Sequence, residues 1–141
     1  MRIAVIDGQG GGIGRQIVEA IKQGLPERAE VVALGTNAIA TSLMLKAGAD
    51  EGATGENAIV LNAGKADVIV GVIGIISANS MLGELTPAIA RAVAESPAVK
   101  LLIPLNRCNI EVIGLGGETR VSAMIDMLVD NLRARLTERP E

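Results

Sequence analysis

The 141-residue sequence contains no histidine, phenylalanine, tyrosine or tryptophan, and it has a single cysteine, Cys108. Without histidine the chain lacks the commonest general base near neutral pH and the commonest metal ligand. One cysteine cannot form an intramolecular disulfide or make up a zinc site, so we expect no metal. No aromatic ring is present to stack on a flavin or a nucleobase. Any ligand must therefore be held by backbone amides, short polar side chains, charges and aliphatic contacts, which favours phosphate or carboxylate groups.

The charges and the apolar runs argue against nucleic acid and membranes as partners. The formal net charge is -3, and acids and bases are mixed along the chain, so no basic stripe is available for nucleic acid or anionic lipid. The longest apolar run, Val68 to Ala78, is too short to span a membrane. Because a predicted strand opens at Arg2, we expect no signal peptide, and one cysteine suits a reducing compartment. We expect a cytoplasmic protein that contacts neither nucleic acid nor membrane.

Apolar periodicity predicts an α/β fold, a three-layer Rossmann-like sandwich on a mostly parallel sheet. Short apolar runs predict strands over 2–7, 30–34, 51–53, 67–73 and 99–103. Helical spacing, caps and breakers predict helices that start near Ile13, Thr36 or Asn37, Gly55, Thr86 and Val121. We expect one domain over residues 1–136 and a frayed tail over 137–141.

The run from Ile110 to Leu115 also has the composition of a strand. Only a few residues separate it from the strand that ends at Ile103, too few for a parallel crossover. If it is a strand, it is antiparallel and lies at the sheet edge. Apolar residues form 49% of the chain and charged residues 21%, so we expect a second copy to cover some surface, as in a homodimer.

A glycine loop, Gly8-Gln9-Gly10-Gly11-Gly12-Ile13-Gly14, joins the first strand to the first helix. Closely spaced glycines let the backbone approach a ligand, and the free N–H groups at a helix start attract an anion. The alternative is that the glycines only permit tight packing of helix on strand. The loop lacks the Lys and Ser/Thr of a P-loop, which disfavours triphosphate hydrolysis.

The spacing of Gly8, Gly12 and Gly14 resembles the loop of short-chain dehydrogenases/reductases. Their activity depends on a Tyr-x-x-x-Lys pair, which a chain without tyrosine cannot form. The acid expected to bind ribose after the second strand is also missing, because Gly35, Thr36 and Asn37 follow Leu34. A classical short-chain dehydrogenase is therefore excluded, whereas a bound dinucleotide, mononucleotide or sugar phosphate is not.

Asp7 stands directly before the glycine loop. A carboxylate there repels a phosphate unless a cation bridges the two or the carboxylate turns away. It is a candidate Mg²⁺ ligand or general base. We favour the alternative, in which it accepts hydrogen bonds from loop N–H groups, as is common in Asp-Gly turns.

Polar residues follow the later strands, whose carboxyl ends meet at one edge of a parallel sheet. Arg107 is a candidate phosphate clamp or a surface arginine, and Cys108 a candidate nucleophile or a small packed residue. Glu84 with Asn79 and Ser80 is a candidate clamp on a ligand hydroxyl, unless Ser80 or Thr86 only caps the next helix. The predicted ligand-binding residues are Asp7, Gly8, Gln9, Gly10, Gly11, Gly12, Ile13, Gly14, Thr36, Asn37, Asn79, Ser80, Asn106 and Arg107.

The predicted function is the binding of a nucleotide or another phosphorylated metabolite, as a sensor or binding protein, with a nucleotide or dinucleotide as the candidate cofactor. The alternative is a small transferase or isomerase that acts on a phosphorylated substrate through Asp7, Glu84 or Cys108. No catalytic residue can be assigned from the sequence.

Four segments together carry a family resemblance: Ile3 to Gly14, Ala33 to Ala38, Gly52 to Ala58 and Pro104 to Asn109. With them the chain resembles a small bacterial family of uncharacterised proteins, classed as a domain of unknown function. The resemblance extends from the first strand to the last helix. It implies no activity, ligand or catalytic residue.

Overall fold

Five parallel strands form the middle layer of an α/β sandwich. The computed structural model describes residues 1–25, 27, 29–105, 108–117 and 120–138. The strands are β1 (Arg2–Asp7), β2 (Glu30–Gly35), β3 (Glu51–Thr54), β4 (Val68–Val72) and β5 (Val99–Ile103). The helices are α1 (Gly12–Gly24), α2 (Ala38–Lys46), α3 (Glu56–Ala63), α4 (Pro87–Glu95) and α5 (Val121–Thr137). Short 3₁₀ turns, Ile73–Ile76 and Met81–Gly83, shape the connection from β4 to α4.

The sheet order is β3-β2-β1-β4-β5, and every neighbouring pair is parallel. The order reverses direction between β1 and β4, and open α/β sheets form their ligand crevice at the carboxyl ends of such a pair. The three-layer Rossmann-like prediction is confirmed. The topology places the glycine loop after β1 beside the loop after β4.

Alternate residues of each strand serve opposite faces of the sheet, as the period of two requires. On one face, Ile3, Val5 and Val31 pack with side chains of α1 and α5. On the other, Ala4, Ile6 and Leu34 pack with side chains of α3 and α4. Full burial of an aliphatic side chain is worth about 1.5–3 kcal/mol, so these two clusters hold the strand ends in fixed positions.

Most helix ends follow the predicted caps. Asn37, rather than Thr36, caps α2, because its Oδ1 accepts the N–H of Ala40 at 2.9 Å. Thr86 caps α4 through the N–H of Ile89 at 3.2 Å, with Pro87 at the first helical position. Gly24 is the last residue of α1, and Leu25 is the C-cap. A Cβ there would lie 2.7 Å from Val129 Cγ1, so this glycine allows α1 to approach α5.

The interpretation of Ile110 to Leu115 as an antiparallel edge strand is wrong. These residues form a turn and irregular backbone without strand pairing, and all of 108–117 is exposed. Positive φ angles at Cys108, Asn109 and Gly114 break any extended run. An apolar, β-branched composition forms a strand only where a neighbouring strand and a core face receive it. α5 continues through Thr137, and residues 139–141 of the predicted tail lie outside the described residues.

Candidate functional site

Gly11 and Gly14 of the loop are required by the packing of α1. Gly11 has φ of 75°, and a Cβ there would lie 2.8 Å from the Ala40 Cα of α2. A Cβ on Gly14 would lie 2.8 Å from both Asp7 Cβ and Met44 Sδ. These positions therefore bring the start of α1 against β1 and α2, as the packing interpretation predicted.

Two other glycines face open space. A Cβ on Gly10 or Gly12 would meet no atom within 4 Å, and both residues are exposed. Among the described residues, the backbone N–H groups of Gly10, Gly12 and Ile13 have no hydrogen-bond acceptor. The first turn of α1 also carries no acidic side chain. These three N–H groups lie at the positive end of a 13-residue helix, a geometry suited to an anion.

Asp7 points inward, away from that open face. It is 7% exposed, and its Oδ2 accepts the N–H of Gly14 at 2.7 Å. Burial raises the pKa of the Asp7 carboxyl above its ordinary value of 3.8; the N–H groups of Gly14 and Gly8 oppose this, and the charge of Glu84 adds to it. The favoured interpretation, an acceptor for loop N–H groups, is confirmed for Gly14.

Glu84 reaches from the loop after β4 to the ends of β1 and β2. Its Oε1 accepts the Gln9 N–H at 2.9 Å, the Thr36 hydroxyl at 2.8 Å and the Asn37 side-chain amide at 2.7 Å. These donors hold the pKa of the Glu84 carboxyl below its ordinary value of 4.5, with the Gln9 N–H contributing most and burial opposing. One carboxylate oxygen thus ties three loops together, and we call these four residues the Glu84 clamp.

The clamp places an acid at the end of β2, the position where the sequence appeared to lack one. Thr36 and Asn37, both among the predicted ligand-binding residues, donate to the Glu84 carboxylate and position it. Asn37 also donates its amide to the Gln9 carbonyl at 3.0 Å. Gly8 is needed here because a Cβ at this position would clash with Thr36 Oγ1. The other oxygen, Glu84 Oε2, accepts no hydrogen bond from the described residues.

Three further candidate residues, Asn79, Ser80 and Cys108, lie in or beside the loop after β4. Ser80 is buried, and its hydroxyl donates to the Gly74 carbonyl at 2.7 Å. The Ser80 side chain makes no capping hydrogen bond to the 3₁₀ turn that follows it. Asn79 is exposed at φ of 67°, and neither residue hydrogen-bonds to the Glu84 carboxylate. Cys108 is exposed, with its Sγ 3.5 Å from where a Cβ on Gly74 would stand. Asn106 and Arg107 lie outside the described residues.

The expected convergence of loops is thus present for the loops after β1, β2 and β4. The partners of Glu84 were the part that sequence reasoning missed. The sequence places Glu84 near Asn79 and Ser80, whereas its actual partners Thr36 and Asn37 lie 48 and 47 positions away. These partners could have been predicted only from the strand order, which brings the ends of β2 and β4 to either side of β1.

A family model described as a domain of unknown function (DUF3842) matches residues 2–137. The chain belongs to this family. The match covers β1 through α5 and confirms the resemblance to a family of unknown function. No curated protein and no solved structure matches the chain.

Two further findings concern metal binding and membrane insertion. In the described part of the chain, no three or more Asp, Glu or Cys side chains cluster as metal ligands do. Across the same residues, no helix has the length and apolar character needed to cross a bilayer.

Proposed function

We propose that this protein binds a nucleotide or another phosphorylated metabolite at the start of α1, as a binding or sensor protein. The observation that carries the proposal is the set of open N–H groups at Gly10, Gly12 and Ile13, with unfilled space beside both glycines. A phosphate in that space receives several N–H donors and the positive end of the helix dipole.

Two features support a phosphate there despite the nearby acids. The Asp7 carboxylate is buried under the loop and is engaged by Gly14, so it does not line the open face. The Glu84 carboxylate stays ionised, but three donors on Oε1 hold it at the ends of β1 and β2, and their dipoles offset part of its repulsion of a phosphate. Its Oε2 is an acceptor suited to a sugar hydroxyl. A phosphate on the glycine loop and a ribose hydroxyl on Glu84 together describe one end of a nucleotide.

The enzyme alternative names Asp7, Glu84 or Cys108, and the environments of Asp7 and Glu84 move their pKa values in opposite directions, as in acid–base pairs. A general base must come within hydrogen-bond reach of its substrate. Asp7 is 7% exposed and its Oδ2 is taken by Gly14, which favours a binding role over catalysis by this pair.

The test begins with native mass spectrometry of freshly purified protein, to identify any small molecule that co-purifies. Calorimetric titration then follows with AMP, ADP, NAD and ribose 5-phosphate as probes. Binding of at least one probe is expected. An empty protein that also binds none of the four would overturn the proposal and leave the glycines as packing devices.

A charge variant locates the site. Gly12→Asp places a carboxylate in open space in the first turn of α1, where it stabilises the helix by about 0.3–1 kcal/mol but repels a phosphate. The matched control is Ser122→Asp, an exposed position in the first turn of α5. Gly12→Asp is expected to lose probe binding while the control retains it. Equal binding by both variants would place the ligand elsewhere.

A further inference from the structure

The outer edge of β5 is open, and an apolar groove runs beside it. No strand among the described residues pairs with β5 on the side away from β4. The groove, of about 330 Å³, lies between β5 and α5 and is lined by Leu101, Leu115, Met124 and Met127, among others. Met127 is 62% exposed and Leu115 is 56% exposed. An uncovered apolar edge strand readily pairs with another chain.

The opposite edge of the sheet is protected in the usual way. β3 has only four residues, and it begins with Glu51, which faces the Arg2 guanidinium at 3.5 Å. β5 has a lysine, Lys100, but its ammonium donates to the Ser96 carbonyl of its own chain. The lysine charge is therefore drawn back toward the start of the strand. β5 is one residue longer than β3, and its lysine charge is held by its own chain rather than directed outward, where it would blunt the edge.

We infer that the β5 edge and α5 form a two-fold interface with a second copy of this chain. The main-chain groups of β5 define the pairing. The Val99 N–H donates to Asp67 on the β4 side, so by alternation Lys100 and Leu102 direct their N–H and C=O groups outward. Antiparallel pairing centred on Leu101 sets Lys100 opposite Leu102 of the second copy and satisfies both residues. A centre further along brings in Pro104, which has no N–H to donate.

The same two-fold axis pairs α5 with its copy. Because the axis crosses the sheet, the two α5 helices lie antiparallel on the same face, above the two Leu101 side chains. Met124, Met127 and Asn131 of α5 line the groove, and helical periodicity places Ala134 on the same face. Turned antiparallel about the point midway between Met127 and Asn131, this face sets Met124 against Ala134 of the second copy and Met127 against Asn131. Larger side chains therefore meet smaller ones across the axis, as an isologous interface requires.

Sedimentation and an exposed-residue variant test the surface. The full chain is expected to sediment as a dimer at micromolar concentration. Met127→Asp is expected to give a monomer, because it places a charge in the groove of each copy. Leu61→Asp, at a 55% exposed leucine of α3, is the matched control and remains dimeric. A monomeric wild-type protein, or a dimer that survives Met127→Asp, overturns the inference.

A cysteine variant tests the axis itself. In a Cys108→Ser background, Leu101→Cys places one thiol on each of the two paired strands. The two residues form a non-hydrogen-bonded pair whose Cα atoms are about 4.5 Å apart, close enough for a disulfide. Mild oxidation is expected to convert most of the protein into disulfide-linked dimers. Val99→Cys, two residues from the axis, is the control, because its thiols would stand about 13 Å apart and remain uncrosslinked. Crosslinking of the control but not of Leu101→Cys would contradict the register, and crosslinking of neither would contradict the strand pairing.

Discussion

Glu84 Oε1 lies 2.8 Å from Thr36 Oγ1, although 48 positions separate the two residues in sequence. This hydrogen bond joins the loop after β4 to the loop after β2 across the end of β1. Gly8, at that end, leaves room for the contact by having no Cβ. The crevice expected between β1 and β4 is thereby bounded on one side by a carboxylate whose position is fixed by three donors.

Removing the Glu84 carboxylate should destabilise the protein. Glu84→Ala leaves the Gln9, Thr36 and Asn37 donors without their acceptor, and we expect the free energy of unfolding to fall by about 1–3 kcal/mol. Glu84→Gln keeps an oxygen at this position and should cost less. Urea unfolding followed by far-UV circular dichroism measures both variants, since the chain has no tryptophan. Glu95→Gln, at an exposed pair with Arg91, is the control and should change little. Equal stability of all three variants would contradict the clamp.

The Glu84 clamp should also weaken in acid. The folded protein holds the pKa of Glu84 below 4.5, so the unfolded chain takes up this proton first as the pH falls. The stabilisation from Glu84 is therefore fully present above the ordinary value and is lost as the pH falls below 4.5 toward the folded pKa. Unfolding curves from pH 3 to 7 should show a shallower acid slope for Glu84→Gln than for wild type. Parallel slopes in this range would contradict the shift.

Asp7 should show the opposite pH dependence. Its pKa is raised above 3.8 in the folded state, so between these two values the folded protein binds more protons and its stability declines as the pH rises. Asp7→Asn removes this decline while Asn Oδ1 still accepts the Gly14 N–H. The variant should be at least as stable as wild type at pH 7. The same denaturation series measures it, and a large loss of stability at pH 7 would show that the fold needs the charge.

The same variant has a consequence for the proposed ligand. Removing a negative charge beneath the start of α1 should strengthen phosphate binding, by about 0.3–1 kcal/mol or a few-fold in affinity. Calorimetry with whichever probe binds the wild type provides the measurement. Loss of binding would instead indicate that Asp7 contacts the ligand or a bridging cation. Cys108→Ser is the control, because it changes an exposed side chain and leaves Asp7 and the glycine loop unaltered.

The parts of the fold that sequence predicts well are those set by local chemistry. The run Arg2–Asp7, the glycines and the spacing of Ile13, Ile17 and Ile21 specify β1, the loop and α1 without reference to distant residues. The Glu84 clamp depends instead on which strands become neighbours, which no local pattern contains. Ile110 to Leu115 shows the converse: a strand-like composition remains irregular when no partner strand accepts it. The sequence therefore predicted the sheet edge where these loops meet and named Glu84, but it did not predict the three residues that this carboxylate contacts.

The two kinds of glycine in the loop can be separated by one substitution each. Gly11→Ala puts a Cβ 2.8 Å from the Ala40 Cα at a left-handed φ of 75°, and we expect it to lower the free energy of unfolding by at least about 1–2 kcal/mol. Gly10→Ala adds a methyl group in open space and restricts the unfolded chain, so stability should be unchanged or raised by about 0.4–1 kcal/mol. Urea unfolding compares the two variants under identical conditions. If Gly10→Ala proves as destabilising as Gly11→Ala, the face proposed for the phosphate is packed rather than open.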